Sequence, residues 1–204
     1  FMKNNIFDFD MAEQAALARI KLLDNAGSYH RSWKTAFRCW WKLKGRGIQK
    51  GEGIIINKNV DIRMTQGAKL IISDYCTIDS YVYLMLTLPS PKVELGRFVH
   101  LGRGTVIAAK GNINIGAFTQ IGPFCQINDQ DHSFCMGELI MSQTAFIKNV
   151  MIGRDCWIGA GSKILKGVTV GDGVVIGAGS IVTKDIPSYE VWAGVPAKFI
   201  KARE

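Results

Sequence analysis

The chain has 204 residues, of which 48% are hydrophobic, and it carries a formal net charge of +8. This length and composition suffice for one domain with a substantial core and an appendage. The charge favours an anionic partner, but lysines and arginines are scattered and no nucleic-acid recognition motif is visible. We therefore expect a phosphorylated small molecule or a membrane surface as partner, and no nucleic acid.

Five cysteines are present, an odd number, and none forms a CxxC pair. We expect buried free thiols in a reducing cytosol. The first residues contain no apolar core of a signal peptide, and no run is long enough to span a membrane. The predicted location is cytoplasmic, with peripheral membrane contact as the alternative.

Residues 1–52 are predicted to form a helical cap. A first helix is expected over residues 10–27, with Asp10 as its N-cap, Glu13 completing a capping box and Gly27 at its end. A second helix is expected over residues 32–44, where large aromatic residues alternate with basic ones. These aromatic residues are Trp33, Phe37, Trp40 and Trp41.

Two interpretations of the helix over residues 32–44 remain open. Aromatic and basic residues on one helix can lie in a membrane interface. Alternatively, the aromatic side chains cover the open end of the repeat structure that follows, since a solenoid needs an atypical terminal cap. We favour the cap.

A six-residue repeat occupies residues 53–187 and is most regular from Ile152 to Pro187. An aliphatic residue opens each block there, and glycine follows it in four of the six blocks. Such a period is typical of a parallel β-helix in which three blocks complete one triangular coil. We predict a mainly β fold in which Ile152 stacks on Val170, Ile158 on Ile176 and Ile164 on Val182. Residues 188–204 form a tail.

The repeat stops over residues 129–149, which must loop outward from one corner. Long excursions from rigid scaffolds often carry function. This loop contains His132, and a neutral imidazole can accept a proton from a hydroxyl near neutral pH. A histidine in a loop is more often simply solvated. A carboxylate could orient the ring, and the candidates, which spacing does not separate, are Asp129, Asp131 and Glu138.

Three segments resemble the hexapeptide-repeat O-acetyltransferases, which include galactoside, maltose and polysaccharide acetyltransferases. They are IGRDCWIGAGS from Ile152, VGDGVVIGAGSIVTKDIP from Val170, and AGVPAK from Ala193. The similarity covers about residues 95–201. It implies a left-handed β-helix, a hand that periodicity alone does not give. It also implies a homotrimer that binds acetyl-CoA between adjacent prisms and uses no metal.

The resemblance also implies roles for individual residues. His132 matches the catalytic base, while Asp131 and Glu138 remain candidates for the carboxylate that orients it. The amide of Ala160 would face the thioester carbonyl, where a fixed donor stabilises developing negative charge. Further groove-lining residues would be Ala178, Thr183 and Lys184, with Lys198 and Lys201 near the nucleotide phosphates. Contacts to the acceptor are expected from Trp157, Asn128 and Asp129, although Trp157 could equally be an intersubunit packing residue.

Two departures from the family affect the acceptor. Gly102 stands where the galactoside enzymes carry an asparagine, and Ser133 follows the histidine where proline is common. Both argue against transferring galactoside specificity. The DHS segment at His132 and the basic, tryptophan-rich N-terminal part resemble acyltransferases of surface-polysaccharide assembly, so we expect a sugar hydroxyl on such a precursor as acceptor. The alternative is a xenobiotic acetyltransferase of the chloramphenicol type, whose acceptor is a drug and not a sugar.

Two further classes of protein share a repeat of this kind. The related zinc carbonic anhydrases need three histidine ligands, whereas His30 lies in the predicted cap and only His100 and His132 lie on the coils. His100 could line a cleft or face solvent. A non-catalytic structural prism is the last alternative, but it needs neither the His132 loop nor the AGVPAK segment.

Overall fold

The computed structural model describes residues 11, 14, 15, 17, 18, 33–45 and 47–204. All five described residues between 11 and 18 are helical, and the rest of the helix predicted over residues 10–27 lies outside the described part. The helix predicted over residues 32–44 is present as α1, Trp33–Lys42.

The repeat folds into a prism with three parallel sheets as its faces. Sheet A contains β1 (Ile48–Lys50), β4 (Lys69–Ile72), β7 (Lys92–Leu95), β10 (Asn112–Ile115), β15 (Val150–Ile152) and β18 (Thr169–Val170). Sheet B begins with β2 (Ile55–Ile56), β5 (Thr77–Ile78), β8 (His100–Leu101), β11 (Gln120–Ile121), β16 (Trp157–Ile158) and β19 (Val175–Ile176). Sheet C contains β3 (Asp61–Met64), β6 (Tyr83–Leu86), β9 (Val106–Ala109), β12 (Gln126–Asn128), β17 (Lys163–Ile164) and β20 (Ile181–Val182).

Three successive strands, one on each face, make one coil, and the described residues contain six coils. The predicted stacking is confirmed: Ile152 pairs with Val170, Ile158 with Ile176, and Ile164 with Val182. All six side chains are buried in the core. The fold is therefore the predicted mainly β, parallel β-helix, and it is consistent with a left hand.

The coils differ in length along the prism. From Ile48 to Leu70, Val93 and Ile113, paired residues on sheet A are separated by 22, 23 and 20 residues. From Met151 to Thr169 the separation is 18. The early coils are longer because many of their strands have four residues, and this length blurs the six-residue period.

Close stacking at the corners requires small residues. A Cβ added at Gly159 would lie 2.5 Å from the amide nitrogen of Ala178 on the next coil. A side chain there would force the two coils apart, which explains glycine in the second position of this block.

The ends of the prism differ from the predicted boundaries. Its first strand, β1, begins at Ile48, five residues before the expected start at residue 53. The predicted tail is largely a hairpin of β21 (Glu190–Gly194) and β22 (Ala197–Ala202), which extends sheet B because Val175 pairs with Val191.

Helix α1 covers the first coil, but not with its aromatic side chains. Leu43 is buried, and the Cys39 thiol lies 3.4 Å from the carbonyl oxygen of Ile54 and accepts a hydrogen bond from the amide of Ile56. The side chains of Phe37, Trp40 and Trp41 are exposed. Our favoured interpretation, in which the aromatic residues form the cap, is therefore wrong for these three. Among the described residues, no helix is long and apolar enough to cross a membrane.

Candidate functional site

The excursion leaves the prism at the corner between sheets C and A. It begins with an antiparallel pair, β13 (Gln130–His132) and β14 (Ala145–Ile147), in which His132 lies opposite Ala145. A single turn of 3₁₀-helix, Ile140–Ser142, lies between these strands. His132 is thus the last residue of a strand, on a hairpin that projects from a rigid frame.

Asp129 anchors this loop and does not face an acceptor. Its side chain is fully buried, and its carboxylate oxygens accept hydrogen bonds from the amides of Lys110 (2.9 Å) and Gly111 (2.7 Å). At the other end of the loop, Asn149 accepts a hydrogen bond of 2.9 Å from the amide of Asn112. Burial raises the pKa of Asp129, although both amide hydrogen bonds act in the opposite direction. The expected acceptor contact of Asp129 is therefore not supported.

The far part of the loop is braced by Gln143. Its side-chain oxygen accepts a hydrogen bond from the amide of Cys135, and its nitrogen donates to the carbonyl oxygens of Cys135 and Glu138. Ser133 donates to the carbonyl oxygen of Thr144 over 2.7 Å. These contacts give the exposed loop a defined shape, and nothing in the repeat pattern had indicated them.

His132 opens onto a groove of about 390 Å³. The residues that line it are Asp131, His132, Ser133, Phe134, Cys135, Phe146 and Lys166. The His132 side chain is exposed, and within the described residues it makes no hydrogen bond, so its ring nitrogens are accessible from the groove.

None of the three carboxylates expected to orient His132 is bonded to its ring. Asp131 forms an ion pair with Lys166, Glu138 is exposed on the loop, and Asp129 is buried against backbone amides. Lys166, which no sequence motif indicated, lies with its ammonium nitrogen 5.4 Å from the centre of the Phe146 ring. The structure therefore brings His132 together with a charged pair and aromatic walls.

His100 has the carboxylate partner that His132 lacks. Its Nε2 atom lies 3.0 Å from Asp79 Oδ2, and Asn57 donates to the other oxygen of Asp79 over 2.9 Å. His100 belongs to sheet B, whereas the excursion leaves from sheet C. The two coil histidines thus sit in different settings, and His30 lies outside the described residues.

The corner between sheets B and C carries the residues expected to meet the donor. Ala160 and Ala178 are exposed there on successive coils. Within the described part of the chain, the amides of both residues lack a hydrogen-bond acceptor. A Cβ at Gly161 or Gly179 would meet no atom within 4 Å, so no other part of the described chain covers this corner. A pair of free amides along an open edge fits a chain of polar groups such as pantetheine.

The other four residues predicted to line the donor groove, one threonine and three lysines, lie towards the C-terminal end of the same region. Thr183 and Lys184 are exposed, and the Lys184 ammonium nitrogen lies 5.2 Å from the centre of the Trp192 ring. Lys198 and Lys201 lie opposite Ala193 and Val191 in the last hairpin.

Strand alternation alone would place Lys198 and Lys201 on opposite faces of the hairpin. The pairing shifts register between Val191 and Trp192, so that β22 has one extra residue. Since directly opposed residues share a face, Lys198 and Lys201 both lie on the face of Ala193 and Val191. The irregularity therefore brings the two lysines together.

The remaining predicted acceptor residues are Trp157 and Asn128. Trp157 is 60% exposed on the outer face of sheet B, where Gln120 and Val175 pair with it on either side. Asn128 is half-buried, and its Oδ1 atom is buried without a hydrogen-bond partner. The structure therefore leaves one acceptor of Asn128 unsatisfied and shielded from solvent, which is rare for a buried polar atom.

The thiols follow the expectation with one exception. All five cysteines are free, and Cys76, Cys125 and Cys156 are buried. Cys39 is half-buried, whereas Cys135 is exposed beside the groove. The expectation that all thiols are buried is therefore wrong for Cys135.

Comparison with known proteins extends these observations. Residues 149–184 match the family model of the bacterial transferase hexapeptide, six repeats. The chain is 32% identical over 156 residues to the probable acetyltransferase Rv3034c of Mycobacterium tuberculosis. The chain is therefore similar to the hexapeptide-repeat acetyltransferases, as its repeat predicts. The match covers 76% of this hexapeptide-repeat chain and 49% of the mycobacterial protein, so the chain spans about half the length of that curated relative.

Solved structures of acyltransferases superimpose on most of the chain. One is a single-site variant of AntD, an N-acyltransferase from Bacillus cereus, in complex with dTDP-4-amino-4,6-dideoxyglucose and coenzyme A. It shares 25% identity at a TM-score of 0.69, covering 80% of this chain and 88% of AntD. Another is a maltose O-acetyltransferase from Clostridium difficile 630, with 26% identity, a TM-score of 0.57, and coverage of 86% and 79%.

Proposed function

We propose that this hexapeptide-repeat protein transfers the acetyl group of acetyl-CoA to a hydroxyl of a sugar or surface-polysaccharide precursor. The observation that carries the proposal is the position of His132. It lies exposed in a groove at the place where an otherwise regular prism is interrupted. The complexes of AntD with a sugar nucleotide and coenzyme A support both substrate classes.

The donor would lie along the corner between sheets B and C. The free amides of Ala160 and Ala178 would hold its polar arm, and the bare edge at Gly161 and Gly179 leaves room for it. Bound there, acetyl-CoA supplies the thioester. Lys184, Lys198 and Lys201, with Thr183, would face its phosphates, and the shared face of Lys198 and Lys201 supports this. Lysines would act there as point charges.

The base would be His132. It would take the proton of the acceptor hydroxyl while the hydroxyl oxygen forms a bond to the acetyl carbonyl carbon. The carbon–sulfur bond then breaks, and the imidazolium returns its proton to the leaving thiolate. The Ala160 amide would stabilise the negative charge that develops on the carbonyl oxygen.

The acceptor would occupy the groove beside His132, with Trp157 and Asn128 as further contacts. Since Asp131 is neutralised by Lys166, we assign it a role in setting the local charge and not in orienting the imidazole. Glu138 remains a candidate partner of the ring because its side chain is exposed on the same loop.

A homotrimer would complete the site. Large apolar side chains on the excursion are exposed in the single chain: Phe134 by 79%, Met136 by 100% and Met141 by 86%. Their exposure together favours a covering surface, which we propose is the prism of a neighbouring copy. The donor corner of one prism would then lie against the His132 loop of the next.

N-acylation of an amino sugar is the second candidate. It is favoured by the similarity to AntD, an N-acyltransferase solved with an amino-sugar nucleotide. The same base and donor corner would serve either acceptor, so the atom that receives the acetyl group distinguishes the two functions.

Matched acceptors test the proposal. The protein would be incubated with acetyl-CoA and pairs of sugars that differ only in a hydroxyl or amino group, both free and dTDP-linked, with chloramphenicol as a xenobiotic acceptor. We expect thiol release together with an acetylated sugar whose acetyl group hydroxylamine removes, as it does from an ester. Transfer only to the amino sugars would establish N-acylation, and transfer to none of the acceptors would contradict the proposal.

A further inference from the structure

The exposed side of α1 carries three aromatic rings, which we call the aromatic face: Phe37, Trp40 and Trp41. These side chains are 57%, 49% and 63% exposed, and their ring centres lie 6.0 to 6.4 Å apart. The helix is held to the prism by Cys39 and Leu43 on its other side. The aromatic face is therefore not needed to cover the core.

Most of the chain's net charge lies at the same end. The described residues between 33 and 75 contain eight lysines and arginines and three acidic residues, which gives +5 of the total +8. The Lys44 ammonium nitrogen lies 4.8 Å from the centre of the Trp40 ring, so charge and aromatic surface are interleaved. Arg63 is paired with Asp61 at 3.1 Å. The charge that first suggested an anionic partner thus belongs mainly to the base of the prism.

A groove of about 740 Å³ lies between the end of α1 and the first coil. Its lining includes the partly buried side chains of Ile48, Ile62 and Met64, with Lys42 and Lys69 among its polar residues. An apolar floor below two ammonium groups suits a molecule with a hydrocarbon part and an anionic head.

We propose that this end of the prism docks on an anionic lipid surface. Tryptophan rings concentrate at the boundary between headgroups and acyl chains, and lysines beside them attract anionic headgroups. Trp40 and Trp41 would enter that boundary, and Lys42 and Lys44 would contact headgroup phosphates. The proposal is independent of the acyl-transfer function, but it would place the enzyme beside acceptors that are linked to lipids.

Vesicle sedimentation with the full chain tests the docking. We expect the protein to pellet with vesicles of phosphatidylglycerol and phosphatidylcholine, to pellet poorly with phosphatidylcholine alone, and to be released by high salt because surface charges are screened. The double variant Trp40→Ser and Trp41→Ser should bind the anionic vesicles at least about tenfold more weakly.

Two further variants separate docking from folding. Lys42→Gln combined with Lys44→Gln keeps the aromatic face and should remove most of the preference for anionic vesicles. Phe199→Ser, at an exposed aromatic residue in the last hairpin, should bind as the unaltered protein does. Thermal unfolding checks that each variant is folded.

Three results would overturn the proposal. They are absence of the protein from the anionic pellet at low salt, equal binding to both kinds of vesicle, and unchanged binding by the tryptophan and lysine variants. Binding of a nucleic-acid duplex that depends on Trp40 and Trp41, without vesicle binding, would assign the aromatic face to a different partner.

Discussion

Burial divides the thiols of this chain by reactivity. It raises the pKa of Cys76 from 9.0 to about 12 and that of Cys156 to about 11, and it also raises the pKa of Cys125. Because the thiolate is the reactive form, these three groups are inert near neutral pH. Cys135 is exposed in the His132 groove, so access does not limit its reactivity.

Alkylation at pH 8 should therefore modify Cys135 first, and Cys135→Ser should remove the fast phase seen by mass spectrometry. Cys76 and Cys156 should remain unmodified until the protein unfolds. Their folded pKa values lie above 9.0, so the stability they contribute as neutral thiols is present below pH 9 and is lost as the pH rises towards 11 and 12. Rapid modification of Cys76 or Cys156 in folded protein at pH 8 would contradict this account.

The two coil histidines show why residue identity alone could not settle the site. His100 is bonded to Asp79, an arrangement that spacing in the sequence did not reveal because the two residues lie 21 positions apart on successive coils. The position of His132 on an excursion from the prism could be predicted from the interruption of the repeat. The pairing of Asp131 with Lys166 could not, since the contact spans 35 residues and depends on the path of the loop.

Among the elements, the late coils were the most predictable. They advance by 18 residues with two-residue strands, so each aliphatic block opener repeats its position on every turn. The early coils advance by 20 to 23 residues, so their buried residues do not recur at a fixed spacing in the sequence. The hairpin inside the excursion could not be predicted, because no repeat marks it. Its far part is held by hydrogen bonds of the Gln143 side chain.

The excursion should also hold the proposed trimer together. Replacing Met136 and Met141 by aspartate puts charges on side chains that are 100% and 86% exposed, so folding of the single chain should be little affected. We expect analytical ultracentrifugation to give three times 22.5 kDa for the unaltered protein and a single-chain mass for this double variant.

The tryptophan double variant at positions 40 and 41 is the matched control, because it alters an exposed apolar surface at the end of the prism and not the loop. It should retain the trimer mass. A single-chain mass for the unaltered protein at micromolar concentration would contradict the trimer. A trimer that survives both aspartate substitutions would contradict the role of the excursion in holding it together.

In the molecule as a whole, the features behind the proposals lie on different parts of one prism. The base carries most of the net charge and the aromatic face, one corner carries the free amides, and a neighbouring corner carries the His132 loop. The prism could be predicted from the sequence because each six-residue block contains its own buried aliphatic residue. It did not predict which side of α1 faces solvent, because that depends on how Cys39 and Leu43 pack on the first coil.

The most direct test of the central claim is the rate of acetyl transfer to a hydroxyl acceptor by His132→Gln. It would be measured in a single turnover, with enzyme and acetyl-CoA both in excess over the acceptor. Since a general base typically contributes 10²- to 10⁴-fold, we expect the rate to fall by roughly that factor, while His100→Gln retains most of the activity. Thermal unfolding should show that both variants are folded. Transfer by His132→Gln at the rate of the unaltered protein would contradict the account.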